Sequence, residues 1–251
     1  MKITVLGSGT STGVPELGCT CDVCNSSDPH DNRLRSSILV ESGTDRILID
    51  CGPDFRTQML HHCPAHPNAL LLTHLHYDHV SGIDDLRPFC RHQPFRVYAE
   101  RRVADGLREK YSYMFQDHKY PGIPDIDLIT IHRQPFLVGN TCVTPIRLFH
   151  YKLPVLGYRI GDIAYLTDFT VLPDTEMQKL EGVKIVIMDA LRKTRHLSHL
   201  SLDEAIALSN QINPAVTFFT HISHQMGLHS TVNKELPPNC QLAFDGLILE
   251  I

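Results

Sequence analysis

No stretch of the 251-residue chain reaches the roughly 18 consecutive apolar positions that a membrane-spanning helix needs, which excludes a bilayer protein. The opening Met1-Lys2-Ile3-Thr4-Val5-Leu6-Gly7 lacks the apolar core and small-residue cleavage site of a secretory signal. It reads instead as a strand, and a cytoplasmic protein is expected. Positive charge is not in excess either. Lys and Arg total 23 against 28 Asp and Glu, a net charge of −5, so no overall basic field points to nucleic acid. Nor does a repeat, low-complexity tract or Gly/Ser- or Pro-rich linker interrupt the sequence, and one domain over residues 1–251 is expected. What is present is ordinary globular composition, 42% hydrophobic and 20% charged, with one surplus. Histidine occurs 16 times, more often than glycine at 15, and that much imidazole suggests metal.

Short apolar runs recur at 3–6, 38–40, 46–49, 69–72, 96–98, 128–131, 141–148, 157–160, 163–166, 184–188, 216–219 and 247–251. Each has strand length and is bounded by Gly, Pro, Asp or Asn. Helical patterns lie at 101–115, 173–180 and 201–211, the last opening with Ser201 and Glu204 in capping-box spacing. Strands outnumber helices, which predicts an α/β protein with two sheets covered by helices.

The densest chemistry follows the run ending at Leu72: Thr73-His74-Leu75-His76-Tyr77-Asp78-His79 crowds three imidazoles and a carboxylate at the exit of one strand. Such ligands suit Zn, Mn and Fe, and no soft ligand intrudes. His150, Asp168 and His221 each close a further apolar run. Any one of them alone reads as structural, but two metal ions need more ligands than one loop supplies.

H-x-H-x-D-H with a later His, Asp and His resembles the metallo-β-lactamase superfamily, and the resemblance runs from the first strand to Phe244-Asp245-Gly246. It implies an αββα sandwich of two mixed sheets with metals at one edge. His74, His76 and His150 would hold one ion; Asp78, His79 and His221 the other; Asp168 would bridge. A carboxylate at 168, where β-lactamases have cysteine, implies a dinuclear hydrolase. Asp50, in Leu48-Ile49-Asp50-Cys51-Gly52, is expected to orient a ligand, and Asp189 to brace the site without touching metal. Two divalent ions beside Asp78 and Asp168 leave a positive pocket suited to phosphate. The leaving group then needs a proton donor that is not a ligand. His199 is the candidate, His196 its competitor, and the catalytic residues are expected to be His199 and Asp78.

The eight cysteines divide unevenly. Cys51, Cys63, Cys90, Cys142 and Cys240 are scattered and read as core or loop residues. Cys19, Cys21 and Cys24 form C-x-C-x₂-C, and without a secretory context a thiolate metal site is expected rather than disulfides. A tetrahedral structural zinc lacks one ligand there, and His224 is the candidate for it. With Thr220-His221-Ile222-Ser223-His224-Gln225 and His150-Tyr151-Lys152-Leu153, this set resembles the cyclic-phosphate phosphodiesterases of phosphonate breakdown. That branch implies manganese and hydrolysis of phosphoribosyl 1,2-cyclic phosphate, although the stretch 105–135 departs from it. The expected cofactors are therefore two catalytic ions, Mn or Zn, and one structural Zn, with a small phosphodiester as the partner. Alternatives are a tRNA 3′-processing nuclease, which shares the ligands but needs a basic arm, and a non-catalytic relative like the pyrroloquinoline-quinone-biosynthesis branch. Gly7-Ser8-Gly9-Thr10 reads as a turn near the metals rather than a dinucleotide site. The basic run 192–196 meets substrate phosphate, a second copy in a homodimer, or solvent.

Overall fold

The structure is a computed structural model that describes residues 1–62, 66–116 and 121–251; Cys63 lies outside them. In chain order the first strands are β1 (Lys2–Gly7), β2 (Ser37–Ser42), β3 (Asp45–Ile49), β4 (Ala69–Leu71), β5 (Phe95–Glu100), β6 (Ile126–Ile131) and β7 (Phe136–Val138). Then come β8 (Thr141–His150), β9 (Leu153–Ile160), β10 (Ile163–Leu166), β11 (Ile185–Asp189), β12 (Val216–Thr220), β13 (Cys240–Leu242) and β14 (Ile248–Glu250). The helices are α1 (Phe55–His62), α2 (Tyr77–Val80), α3 (Arg101–Lys110), α4 (Asp174–Met177), α5 (Leu202–Ile212) and α6 (His229–Glu235).

Two seven-stranded mixed sheets result, ordered β14-β1-β2-β3-β4-β5-β6 and β13-β12-β11-β10-β9-β8-β7. In each, one half is antiparallel and the other parallel: β3 to β6 in the first, β10 to β13 in the second. Strand side chains alternate between faces, and here both faces are buried, so the runs are continuously apolar. Ile38, Val40, Ile47 and Ile49 join Ile185, Ile187 and Phe218 in the core between the sheets. Leu39 and Leu48 turn outward to Val103 and Leu107 of α3, and Val186, Met188 and Phe219 to Leu202 and Ala205 of α5. This is the expected αββα sandwich.

Local expectations fared unevenly. Ser201 caps α5, and its side chain and backbone N–H both meet Glu204. The helix expected over 101–115 stops at Lys110, because Tyr111 leaves helical geometry (φ −118, ψ 45) and a 3-10 turn, Ser112–Met114, follows. The pattern at 173–180 forms only the single turn of α4 and a further 3-10 turn.

Candidate metal centre

The candidate ligands of the two-ion site sit where strands end at the same edge of the sandwich. His150 is the last residue of β8, Asp189 the last of β11, and His221 follows β12 directly. Asp168 stands two residues past β10, and β4 leads into the His74–His79 loop, whose turn α2 carries Asp78 and His79. The chain must bend sharply at these exits. Asp50, Asp168 and His221 adopt left-handed backbone, with φ of 63, 54 and 57. Asp and His tolerate that region better than branched residues, but each such residue costs on the order of 1 kcal/mol. Strain gathered at one edge marks a place where side-chain aim outranks backbone comfort.

The side chains converge on Asp168. Donor atoms of Asp78, His79, Asp168 and His221 lie within 4.8 Å of one another; so do those of His74, His76 and Asp168, and those of His150, Asp168 and His199. His221 Nε2 is 3.0 Å from Asp168 Oδ1, His79 Nε2 is 3.3 Å from Oδ2, and His74 Nε2 is 3.6 Å from Oδ2. His150 belongs with His76 by ring contact at 5.1 Å. The seven residues expected to hold two ions are thus brought together, with Asp168 common to three groups.

A tier of partners fixes the rings from behind. His79 Nδ1 meets Asp50 Oδ2 at 2.6 Å, and Asp50 also accepts from the N–H and hydroxyl of Thr73. Thr73 Oγ1 lies 3.0 Å from His74 Nδ1, and His150 Nδ1 donates to the Ser198 carbonyl at 2.7 Å. Gly52 lets this turn close: a Cβ there would stand 2.1 Å from the Asp78 carbonyl. Thr73 and Ser198 escaped the sequence reading. The adjacency of Thr73 to the loop was a usable signal; a backbone carbonyl supplied from 48 residues away was not.

Burial holds His74, His76 and His150 below the usual imidazole range, in the neutral form that binds metal. Burial opposes charge on His79 too, yet Asp168, Asp78 and Asp50 hold it well above that range. The pocket therefore calls for positive charge. Four ring nitrogens (His74 Nε2, His79 Nε2 and both of His221) are buried without a hydrogen-bond partner. Leaving such atoms unmet costs about 1–3 kcal/mol each, and divalent cations among these carboxylates and imidazoles would satisfy them, so the donor set fits metal.

His199 stands against this cluster rather than in the H-x-H-x-D-H loop. Its ring stacks on His221 at 4.8 Å and 15°, and Asp189 Oδ2 accepts from its Nδ1 at 3.1 Å. Burial disfavours its charge, but Asp189 outweighs that and pushes its pKa up to about 9. Asp189 also faces His221 Nδ1 at 3.7 Å, so it braces two rings at once. His196 is more exposed and lies 5.3 Å from the His199 ring.

A second donor set lies nearby. Cys19 Sγ and Cys21 Sγ are each 3.3 Å from His224 Nδ1, and the donors of Cys19, Cys21, Cys24 and His224 all lie within 4.8 Å. The Cys24 N–H donates to Cys21 Sγ, which with His224 draws the Cys21 thiol down to about 6. Three sulfurs and an imidazole fit tetrahedral zinc. The Gly9–Thr10 turn lies against His221 and Ile222 through Thr10 N–H to the Ile222 carbonyl. The basic run is spent locally, Lys193 on Glu235 and Arg195 on Glu204.

The imidazoles and carboxylates at one edge of an αββα sandwich form a donor set that fits divalent metal. The family pattern of the beta-lactamase superfamily domain matches residues 45–222, and the chain belongs to that superfamily. It is 43% identical over 250 residues to an octanoyltransferase of Porphyromonas gingivalis, a match spanning 98% of this chain but 51% of that protein. The chain thus spans about half the length of that relative. Among solved structures, a diphosphatase from the PhnP family superposes with TM-score 0.92 at 39% identity, covering 99% of this chain and 96% of that one. Zn(2+)-bound PqqB of Methylobacterium extorquens gives TM-score 0.82 at 20% identity over 100% of both chains, a likeness of fold alone. No helix among the described residues is long and apolar enough to cross a membrane.

Proposed function

We propose that the chain is a phosphodiesterase working with two divalent ions, Mn or Zn, on small phosphodiesters, cyclic ones included. The observation that carries this is His199, a protonatable imidazole held by Asp189 beside the ligand cluster. His74, His76 and His150 would hold one ion, Asp78, His79 and His221 the other, with Asp168 shared. Divalent ions bound there supply Lewis acidity and a nucleophile usable near neutral pH. Asp50, Thr73 and the Ser198 carbonyl keep His79, His74 and His150 in their ligating tautomers. Asp189 holds His199 Nδ1–H, leaving Nε2–H to pass its proton to the departing alkoxide as the P–O bond breaks. Asp189 then stabilises the proton's return.

Cys19, Cys21, Cys24 and His224 would hold a separate structural zinc. The diphosphatase name of the PhnP-family neighbour supports phosphoryl chemistry. The octanoyltransferase name belongs to a protein about twice as long, half of which lies outside the match. The test is hydrolysis by Mn- and Zn-loaded protein of bis(p-nitrophenyl) phosphate against p-nitrophenyl phosphate. Diester turnover is expected to dominate, and faster monoester turnover overturns the assignment.

A further inference from the structure

Four strands stand at the edges of the two sheets: β14 and β6 in the first, β13 and β7 in the second. An edge strand leaves a row of backbone N–H and C=O groups unmet, and proteins blunt such rows by shortness, Pro, Lys or a bulge. β14, β13 and β7 have three residues each. β6 has six, Ile126-Asp127-Leu128-Ile129-Thr130-Ile131, with no Pro or Lys, and its register on β5 runs without a shift.

The pairing with β5 decides which groups are left over. Phe95 N–H donates to the Asp125 carbonyl, and in a parallel ladder alternate residues face the neighbouring strand. Asp127, Ile129 and Ile131 therefore turn their backbone groups to β5, while Leu128 and Thr130 turn theirs outward. Among the described residues no other strand or loop meets them.

Beside this row a groove of about 300 Å³ runs between β6 and β7, walled by Tyr98, Ile129, Ile131, Phe136 and Leu137. Tyr98 and Phe136 stack at 5.5 Å, and Leu137 is 64% exposed. This flank of the sandwich thus joins unmet backbone to bare apolar surface.

β6 is also complementary to itself. Antiparallel pairing with a second copy, centred on Thr130, sets outward groups against outward groups. Thr130 meets the partner's Thr130, and Leu128 meets the partner's His132. The same register puts Asp127 opposite the partner's Arg133, and symmetry repeats the contact. Both side chains are exposed. Arg96 is the register neighbour of Asp127 on β5, yet among the described residues no ion pair engages Asp127 or Arg133. The two-fold axis of such a pair stands perpendicular to the sheet, so both second sheets come to one side and each copy's Leu137 is covered.

We infer that β6 and the groove beside it form a homodimer interface, in which the first sheets of two copies join edge to edge. Its occupant is a second copy of this chain because the free charges and the outward backbone groups match under one two-fold register. The interface lies apart from the donor clusters and does not depend on the reaction assigned to them.

Sedimentation and light scattering of the full chain should give twice 28.3 kDa at micromolar concentration. The mass of one chain at about 0.1 mM, where an interface of standard size is formed, overturns the inference. Asp127→Arg and Arg133→Asp each set like charges together at both ends of the pair and should weaken the dimer by about 100-fold or more. Asp127→Arg/Arg133→Asp reverses both charges and should restore most of that loss. A dimer equally tight in the single variants, or no recovery in the double variant, overturns the interface. Amide exchange reads it without substitution. Leu128 and Thr130 should slow as concentration drives dimer formation, while Ile129, bonded to β5, stays slow throughout. Exchange at Leu128 and Thr130 that is equal in monomer and dimer overturns the inference by moving the contact to another face.

Discussion

Around Asp168 the donors are imidazoles and carboxylates at the ends of buried strands; around Cys21 they are thiols in a loop that solvent reaches. The first set is rigid before any ion arrives. The rings of His74, His79 and His150 each have a hydrogen-bonded partner behind them, and three exits hold left-handed backbone. The second set is gathered mainly by its own sulfurs and by His224, with the N–H groups of Glu16 and Cys24 as backbone donors to the thiols. A preorganised site binds without refolding and keeps its shape when emptied; a site assembled from a loop lends its binding energy to the fold. His221 and His224, three residues apart, place both kinds on one segment.

The sharpest way to break this contrast is Asp168→Ala. It should abolish the tightly bound pair of catalytic ions and cut diester turnover by about 10³-fold or more, near 4 kcal/mol of barrier. The fold should survive, as judged by circular dichroism and metal analysis. Two catalytic ions per chain in that variant would show that the carboxylate is not shared. Next in size is His199→Ala, expected to keep metal and to lose about 10²-fold on diesters with poor leaving groups, but clearly less on an activated aryl diester. Equal losses on both would assign the ring to phosphate binding.

Cys21→Ser should act on stability before activity. A melting point several degrees lower is expected, since about 1 kcal/mol moves a domain of this size by roughly 2–4 °C. Graded chelation of wild type should release metal in two stages, the thiolate-held zinc last. Release in one stage would erase the distinction between the two clusters.

The smallest effect concerns the packing behind the thiolate loop. His229 stacks on His30 at 4.8 Å, its Nδ1 lies 3.1 Å from Arg33, and burial followed by the Arg33 charge lowers its pKa to about 4. Its folded value lies below its ordinary 6.5. The unfolded chain therefore takes up the proton first, and stability present above pH 6.5 is lost as pH falls toward 4. In His229→Gln, denaturation measured across that window should show a shallower slope. An unchanged slope would place the titration elsewhere.

Most of the candidate site was readable in order along the chain because ligands follow strands, and strands announce themselves as apolar runs. His74, His76, Asp78 and His79 are contiguous; His150, Asp168 and His221 each close a run. Pairing His224 with cysteines some 200 residues away depended on counting zinc ligands, and the structure places them together. Other features were hidden for physical reasons. β7 and β13 have three residues each, too few to show a period. In α1 the sequence FRTQMLHH, and in α6 HSTVNKE, carry little apolar periodicity, and tertiary contact decides them. Arg102 and Lys152, 50 positions apart, line one opening beside His76 and His150, and no local pattern in the sequence announces it.

The pairing of β10, β11 and β12 sets Leu166 beside Met188 and Met188 beside Phe219, so Asp168 and His221 both stand two residues past that row, and Asp189, beside Thr220, one residue past it. A slip of β12 by one residue would lift His221 by about 3.3 Å and turn it to the opposite face. Apolar packing alone does little to forbid it, because Phe218 and Phe219 are both buried, one toward each layer. The alignment is policed by polar contacts: Ser209 and Thr217 hydroxyls meet at 2.6 Å between α5 and β12, and Thr217 N–H donates to the Asn239 carbonyl. A pair of small hydroxyls well away from the ions thus acts as the gauge that keeps the ligand row in step, and loosening it would misplace the chemistry while leaving the hydrophobic layers content.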